Sequence, residues 1–243
     1  MSAAGTVRRL VHGSADELAA RTADRLAAVL AQAQAARGTA SVVLTGGRTG
    51  GAVLAALRDE HHDALDWSAV DFYWGDERFL PGGDPERNET LARERLLDHV
   101  PVSPERVHPM APSDGEFGDD PDAAAEAYSV LLHDVASFDV CLLGVGEEGH
   151  TASVFPHSPA VAETARPVVA VRDCPKPPPT RVTLALPTIR RAERVWLVTA
   201  GAGKAEAVAA ALAGATEADL PAAGARGRQE TLWLLDRAAA GES

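Results

Sequence analysis

Short apolar runs alternate with longer amphipathic stretches along nearly the whole chain. Leu18, Leu26, Val29 and Leu30 recur at helical spacing, with Ser14 and Glu17 in capping-box positions before them and Gly38 after them. This predicts a helix between Ser14 and Gly38. The β-branched run 41–45 (SVVLT) predicts a strand that stops at Gly46-Gly47, followed by a helix over about 49–58. Residues 69–74 (AVDFYW) read as a strand, 86–98 as a helix with Leu91, Leu96 and Leu97 on its apolar side, and 121–134 as a helix opened by Pro121. Further strands are predicted at 138–143, 167–171, 181–186, 194–199 and 231–235, with a helix at 202–212 between the last two. The terminal AAAGES (238–243) reads as frayed.

Strands that are apolar throughout and alternate with helices imply a mostly parallel sheet with helices on both faces. The expected fold is α/β, a single Rossmann-like domain spanning 1–243. The tract PKPPP (175–179) is too short for a domain linker and reads as a stiff, extended loop.

Charge narrows the partners. The chain carries a formal net charge of −12, so nucleic acid and anionic membrane are poor partners, and an anionic ligand would require the few basic residues to be gathered at one place. No run approaches the length of a membrane span, and MSAAGTVRRLVHG lacks the apolar core of a signal peptide, so the expected location is cytoplasmic. Two cysteines, Cys141 and Cys174, give no disulfide framework and no metal motif. The expected state is a monomer or weak homo-oligomer without metal or cofactor.

In an open parallel sheet, ligands bind beyond the carboxyl ends of the strands. Three strand ends carry unusual residues there: TGGRTG (45–50), WGDERFLP (74–81) and GVGEEGHTAS (144–153). In the first, Gly46 and Gly47 permit backbone N–H groups to approach an anion, with Arg48 and Thr49 beside them at a helix N-terminus. The alternative is an ordinary strand-to-helix turn. In the second, Asp76, Glu77 and Arg78 line a cleft or form an exposed charged loop, and Arg78 is suited to a bidentate grip on phosphate or carboxylate. Lys204, at a helix start, is an anion ligand or a solvated cation.

The third stretch spells G-x-G-x-x-G through Gly144, Gly146 and Gly149. A dinucleotide site is excluded: Pro156 and Pro159 interrupt the helix it needs, the motif lies in mid-chain, and Glu147 and Glu148 oppose a pyrophosphate. The glycines instead turn the backbone sharply and present His150, a candidate general base, with Glu148 placed to fix its tautomer. A turn-capping histidine is the alternative. His61 and His62, by contrast, read as part of a polar loop, and no H-E-x-x-H or G-x-S-x-G is present.

GVGEEGHTASVFP resembles the signature of the 6-phosphogluconolactonase family, which usually reads G-x-G-x-D-G-H-T-A-S-L-F-P. VLTGGRTG resembles that family's sugar-phosphate loop, DFYWGDERFLPGGDPERNE its D-E-R segment with a trailing asparagine (Asn88), and CPKPPPTRVTLALPTI its K-P-P…R-[IV]-T-L segment. The four segments follow in order along nearly the whole chain. Two positions depart: Glu148 stands for the usual aspartate, and Gly50 for the proline that closes the first loop. The resemblance implies a fold similar to sugar-phosphate isomerases and deaminases, and hydrolysis of a small-molecule sugar-phosphate lactone with His150 as base, assisted by Glu148 and Asp76. It implies phosphate or oxyanion contacts from Gly46, Gly47, Arg48, Thr49, Arg78, Arg181 and Lys204, and no cofactor. Two alternatives remain on the same residues: an amino-sugar-phosphate isomerase/deaminase using Asp76 as base, and a non-catalytic sugar-phosphate-binding module.

Overall fold

The computed structural model of the chain describes residues 5–242. Six strands form one parallel sheet: β1 (Thr6–His12), β2 (Ala40–Leu44), β3 (Val70–Trp74), β5 (Val140–Leu143), β8 (Arg194–Thr199) and β9 (Glu230–Asp236), in the order β1-β9-β8-β5-β2-β3. A second, antiparallel sheet has the order β4-β7-β6, from β4 (Asp76–Arg78), β6 (Val168–Val171) and β7 (Arg181–Leu184). The helices are α1 (Ala15–Arg37), α2 (Gly47–His61), α3 (Asn88–Ala92), α4 (Pro121–Leu131), α5 (Leu186–Ile189), α6 (Ala205–Leu212) and α7 (Pro221–Gly224).

The period-two pleat divides the core in two. Leu44, Phe72, Trp74, Leu142, Trp196 and Leu234 face one side, against Leu18, Leu26 and Leu30 of α1 and Val53, Leu54 and Leu57 of α2. Val43, Tyr73, Cys141, Leu143, Leu197 and Trp233 face the other, against α4, α6 and the small sheet. Helices therefore cover both faces, as expected, but β6 and β7 pair with each other rather than joining the parallel array. No helix separates them in the sequence, so the chain lacks the crossover that a parallel pair requires. Cys141 is fully buried, and burial pushes its thiol far above the ordinary range, so it packs as a small hydrophobe.

Local signals act where the sequence placed them. Ser14 Oγ accepts the Glu17 N–H at 3.1 Å, while Glu17 Oε2 accepts from Gly13 N–H, one residue earlier than a reciprocal capping box would use. Gly38 ends α1 at φ +83°, donating to Gln34 O. The stretch expected as one helix over 86–98 is α3 followed by a π-helical turn, Arg93–Leu97. His61 closes α2 rather than lying in a loop, and its Nε2 is 3.0 Å from Asp24 Oδ1. The C-terminal segment is not frayed through residue 242: Ala239 is fully buried and donates its N–H to Asp236 Oδ1; Ser243 lies outside the described residues. Among the described residues no helix is long and apolar enough to cross a membrane.

Candidate active site

Strand order reverses between β2 and β5, because the chain leaves β2 towards β3 and returns on its other side. A crevice opens at such a point beyond the strand ends. Here the loop after β2 and the loop after β5 meet, with Gly144 N–H donating to Thr45 Oγ1 at 3.2 Å. The small sheet roofs the same end. Gly75 links the two sheets, donating to Leu44 O and accepting from Leu184 N–H. The cleft so formed is lined by Thr45, Gly46, Gly47, Asp76, Arg78, Asn88, Gly144, Gly146, His150, Lys176, Arg181 and Lys204, among others.

Four of these residues are cationic, in a chain whose net charge is −12. Gly47 adopts φ +76° and Gly46 caps α2, whose first turn holds no acidic residue, so the positive end of a 15-residue helix faces the cleft. Arg48 and Thr49 lie in that turn, and neither side chain lines the cleft. Arg78 lines it and donates from Nη1 to Glu86 O. Lys204 ends a short 3-10 turn, Ala202–Lys204, and sits 3.8 Å from Glu147 Oε1. Arg181 is buried and otherwise engaged: Nε donates to Pro178 O, and Nη2 to Lys176 O and Pro177 O, at 3.1–3.2 Å.

The D-E-R segment is neither an exposed loop nor wholly a cleft lining. It is strand β4, and its Asp76 and Glu77 are both buried. Asp76 Oδ2 accepts from Ser153 Oγ at 2.6 Å and Oδ1 from Asn88 Nδ2 at 3.3 Å, with Arg181 Nη1 3.9 Å from Oδ2. Glu77 points away from the cleft and accepts the N–H groups of Arg78, Asn88 and Glu89 at 2.7–2.8 Å. It thereby caps the start of α3, the helix that carries Asn88.

His150 follows a turn in which Gly149 takes φ +83° and donates to Gly146 O, and Gly146 N–H donates to His150 O. The imidazole stacks on Phe155, ring centroids 4.4 Å apart. Burial lowers its pKa below the ordinary 6.5, against the opposing pull of Glu148. Glu148 Oε1 lies 3.1 Å from Nδ1, near enough to favour the imidazolium but out of line with the ring N–H, so that the buried Nδ1 has no well-aligned hydrogen bond. The other carboxylate oxygen accepts from Lys176 Nζ at 2.8 Å. Burial raises the Glu148 pKa, but the Lys176 hydrogen bond leads the opposing effects and leaves the carboxyl below its ordinary value.

The close glycine spacing now has a steric reason. A Cβ on Gly146 would stand 1.9 Å from His150 Nδ1 and 2.8 Å from Glu148 Oε2. Gly146→Ala must therefore displace the imidazole. Misplacement of a reacting group by about 1 Å costs on the order of a hundredfold, so this variant should keep its fold by circular dichroism and lose roughly that factor in turnover.

The structure thus brings Gly46, Gly47, Asp76, Arg78, His150, Arg181 and Lys204 together, with Glu148 directly behind the histidine, and leaves the Arg48 and Thr49 side chains out. Lys176, Ser153 and Asn88 escaped the sequence-derived set. All three sit in segments already singled out, but their roles come from contacts with distant residues.

Fold and cleft together define a doubly wound α/β protein with a polar, cation-lined cleft at the carboxyl ends of its parallel strands. The family of glucosamine-6-phosphate isomerases and 6-phosphogluconolactonases matches residues 13–233. The 6-phosphogluconolactonase of Streptomyces coelicolor is 55% identical over 98% of this chain and 95% of that protein, and the one from Mycobacterium tuberculosis 54% over 93% and 94%. Among solved structures, 6-phosphogluconolactonase from Trypanosoma brucei superposes with a TM-score of 0.84 at 31% identity, over 98% of each chain. A monomeric glucosamine-6-phosphate deaminase shares the fold, with a TM-score of 0.79 at 23% identity over 98% of this chain and 100% of that one. The chain belongs to the 6-phosphogluconolactonase family.

Proposed function

We propose that the chain hydrolyses 6-phospho-D-glucono-1,5-lactone to 6-phosphogluconate, with His150 as general base. The observation that carries this reading is a histidine kept neutral by burial at the wall of a cleft lined by Arg78, Lys176, Arg181 and Lys204. With Nδ1 buried behind the ring, Nε2 is the nitrogen left to take a proton from water. The oxygen of that water attacks the lactone carbonyl carbon, and the electron pair moves onto the carbonyl oxygen. Collapse of the tetrahedral intermediate breaks the bond to the ring oxygen, which leaves with the proton returned by the imidazolium. No external oxidant or metal enters this balance.

The phosphate is held by the N-terminus of α2 at Gly46 and Gly47, with Arg78 and Lys204. Arg48 and Thr49 take part through the backbone of that turn, not their side chains. Arg181, with its donors already on loop carbonyls, and Asp76, with both oxygens engaged, act as positioning groups. The occupied state of the Asp76 carboxylate weighs against the isomerase alternative, in which it would shuttle a proton between ring carbons.

The lactone also opens spontaneously, so the test follows its disappearance. The lactone, generated in situ, should vanish faster with protein than without, equally in EDTA, while glucosamine 6-phosphate should release no ammonia. Ammonia release in place of lactone turnover would overturn the reading.

A further inference from the structure

Lys176 belongs to the loop between β6 and β7, and nothing in the chemistry above uses it. It lines the cleft, and its ammonium donates to Glu148 Oε2 at 2.8 Å. Its backbone is tethered from β7, where the buried Arg181 guanidinium collects the carbonyls of Lys176, Pro177 and Pro178. The lysine thus grips the carboxylate from a fixed point. The other oxygen of Glu148 is left 3.1 Å from His150 Nδ1 but out of line, and the buried Nδ1 has no well-aligned hydrogen bond. A carboxylate so near an imidazole ordinarily aligns on its N–H and stabilises the charged ring.

We infer that Lys176 is a positioning residue: it draws Glu148 off the axis of the imidazole and so adds to burial in leaving His150 unprotonated and ready to accept a proton from water. The inference deepens the proposed function and rests on it for its kinetic consequence, though not for its geometry. Glutamate at position 148 reaches both neighbours at once, one oxygen to each. Burial does most to lower the His150 pKa; of the charged groups around the ring, Glu148 on its own loop, by charge and by its contact with the ring, and Asp76 on β4 favour the imidazolium, and Lys176 opposes it. Arg78, Arg181 and Lys204 line the same cleft. Without the Lys176 ammonium, one opposing cation is gone and Glu148 is free to swing into line. Both changes push the His150 pKa upward.

The test is a ring-nitrogen NMR titration of His150 in the wild type, Lys176→Met, Lys176→Arg and Lys176→Met/Glu148→Gln, beside the pH profile of kcat/KM. In Lys176→Met the titration and the acid limb of the profile should move up together, so that activity drops severalfold near pH 6.5 and recovers at pH 8.5. Lys176→Arg should restore the wild-type midpoint, and the double variant should lose most of the shift, because the lysine acts through Glu148. An unmoved His150 titration in Lys176→Met, whether or not KM rises, would overturn the inference and make Lys176 a plain substrate contact. A raised titration with an unmoved rate profile would support the clamp and instead overturn His150 as the base.

Discussion

His150→Ala should reduce lactone turnover to near the spontaneous rate while the protein remains folded. A positioned general base contributes roughly 10²–10⁴-fold, and among the described residues the cleft holds no second group placed to replace it. Asp76 is tied to Ser153 and Asn88, and Glu148 is held by Lys176 behind the ring. The substitution removes a ring stacked on Phe155 in a loop that Gly146 and Gly149 shape through the backbone, so the loop should survive it. Matching melting curves and a KM within a few-fold of wild type would show that only the chemistry was lost. The sign of the pH dependence follows from the direction of the shift. Burial lowers the His150 pKa, so the neutral, proton-accepting form persists below the ordinary 6.5, and the acid limb of wild-type kcat/KM should lie under that value. Residual activity above about a tenth of wild type would remove His150 from the role, since it would leave less than the smallest factor a general base supplies.

What the sequence disclosed, and what it withheld, follows from how each element is stabilised. Strands β2, β5, β8 and β9 lie inside the sheet, and β3, though at one edge, is almost wholly buried, so their apolar composition marks them. β1 sits at the opposite edge with Arg8 and Arg9 at its centre and Val7 exposed; its few apolar residues are split by the arginines and none is fully buried. β4 is harder still. Its three residues, Asp76, Glu77 and Arg78, are all charged, and it exists because it pairs with Arg181–Thr183 of β7 and because its carboxylates find partners a dozen to more than seventy residues away. The glycine-framed histidine was readable because its turn is local. The diversion of Glu148 was not, because the lysine that causes it lies 28 positions downstream and its reach depends on how the small sheet folds over the cleft.

The same long-range logic makes Arg87 the position whose loss should most damage stability. Its side chain is fully buried, with Nη2 3.1 Å from Glu89 Oε2, 3.7 Å from Glu77 Oε2 and 2.8 Å from Met110 O. Arg87→Leu keeps apolar volume but leaves the Glu77 carboxylate buried without a cation. Breaking a buried pair from one side costs about 3–5 kcal/mol, which in a domain of this size lowers the melting temperature by roughly 6–20 °C. The pH dependence distinguishes this cause from lost packing. Burial already pushes Glu77 up to about 7 in the folded protein from an ordinary 4.5, with Arg87 and three backbone N–H groups pulling the other way. A folded pKa above the unfolded one means that the native state holds the proton more tightly, so this group's contribution to stability declines as pH rises from 4.5 towards 7. Removal of Arg87 raises the folded pKa further. The extra loss should therefore be largest near pH 8 and smaller near pH 5.5, where the carboxyl can be protonated. Urea unfolding of wild type and Arg87→Leu at those two pH values measures it. A penalty that is equal at both, or larger in acid, would mean that Arg87 serves through packing and its carbonyl contacts. Because Glu77 caps the helix that carries Asn88, and Asn88 holds Asp76, the predicted result would also tie the stability of this buried charge cluster to the wall of the cleft itself.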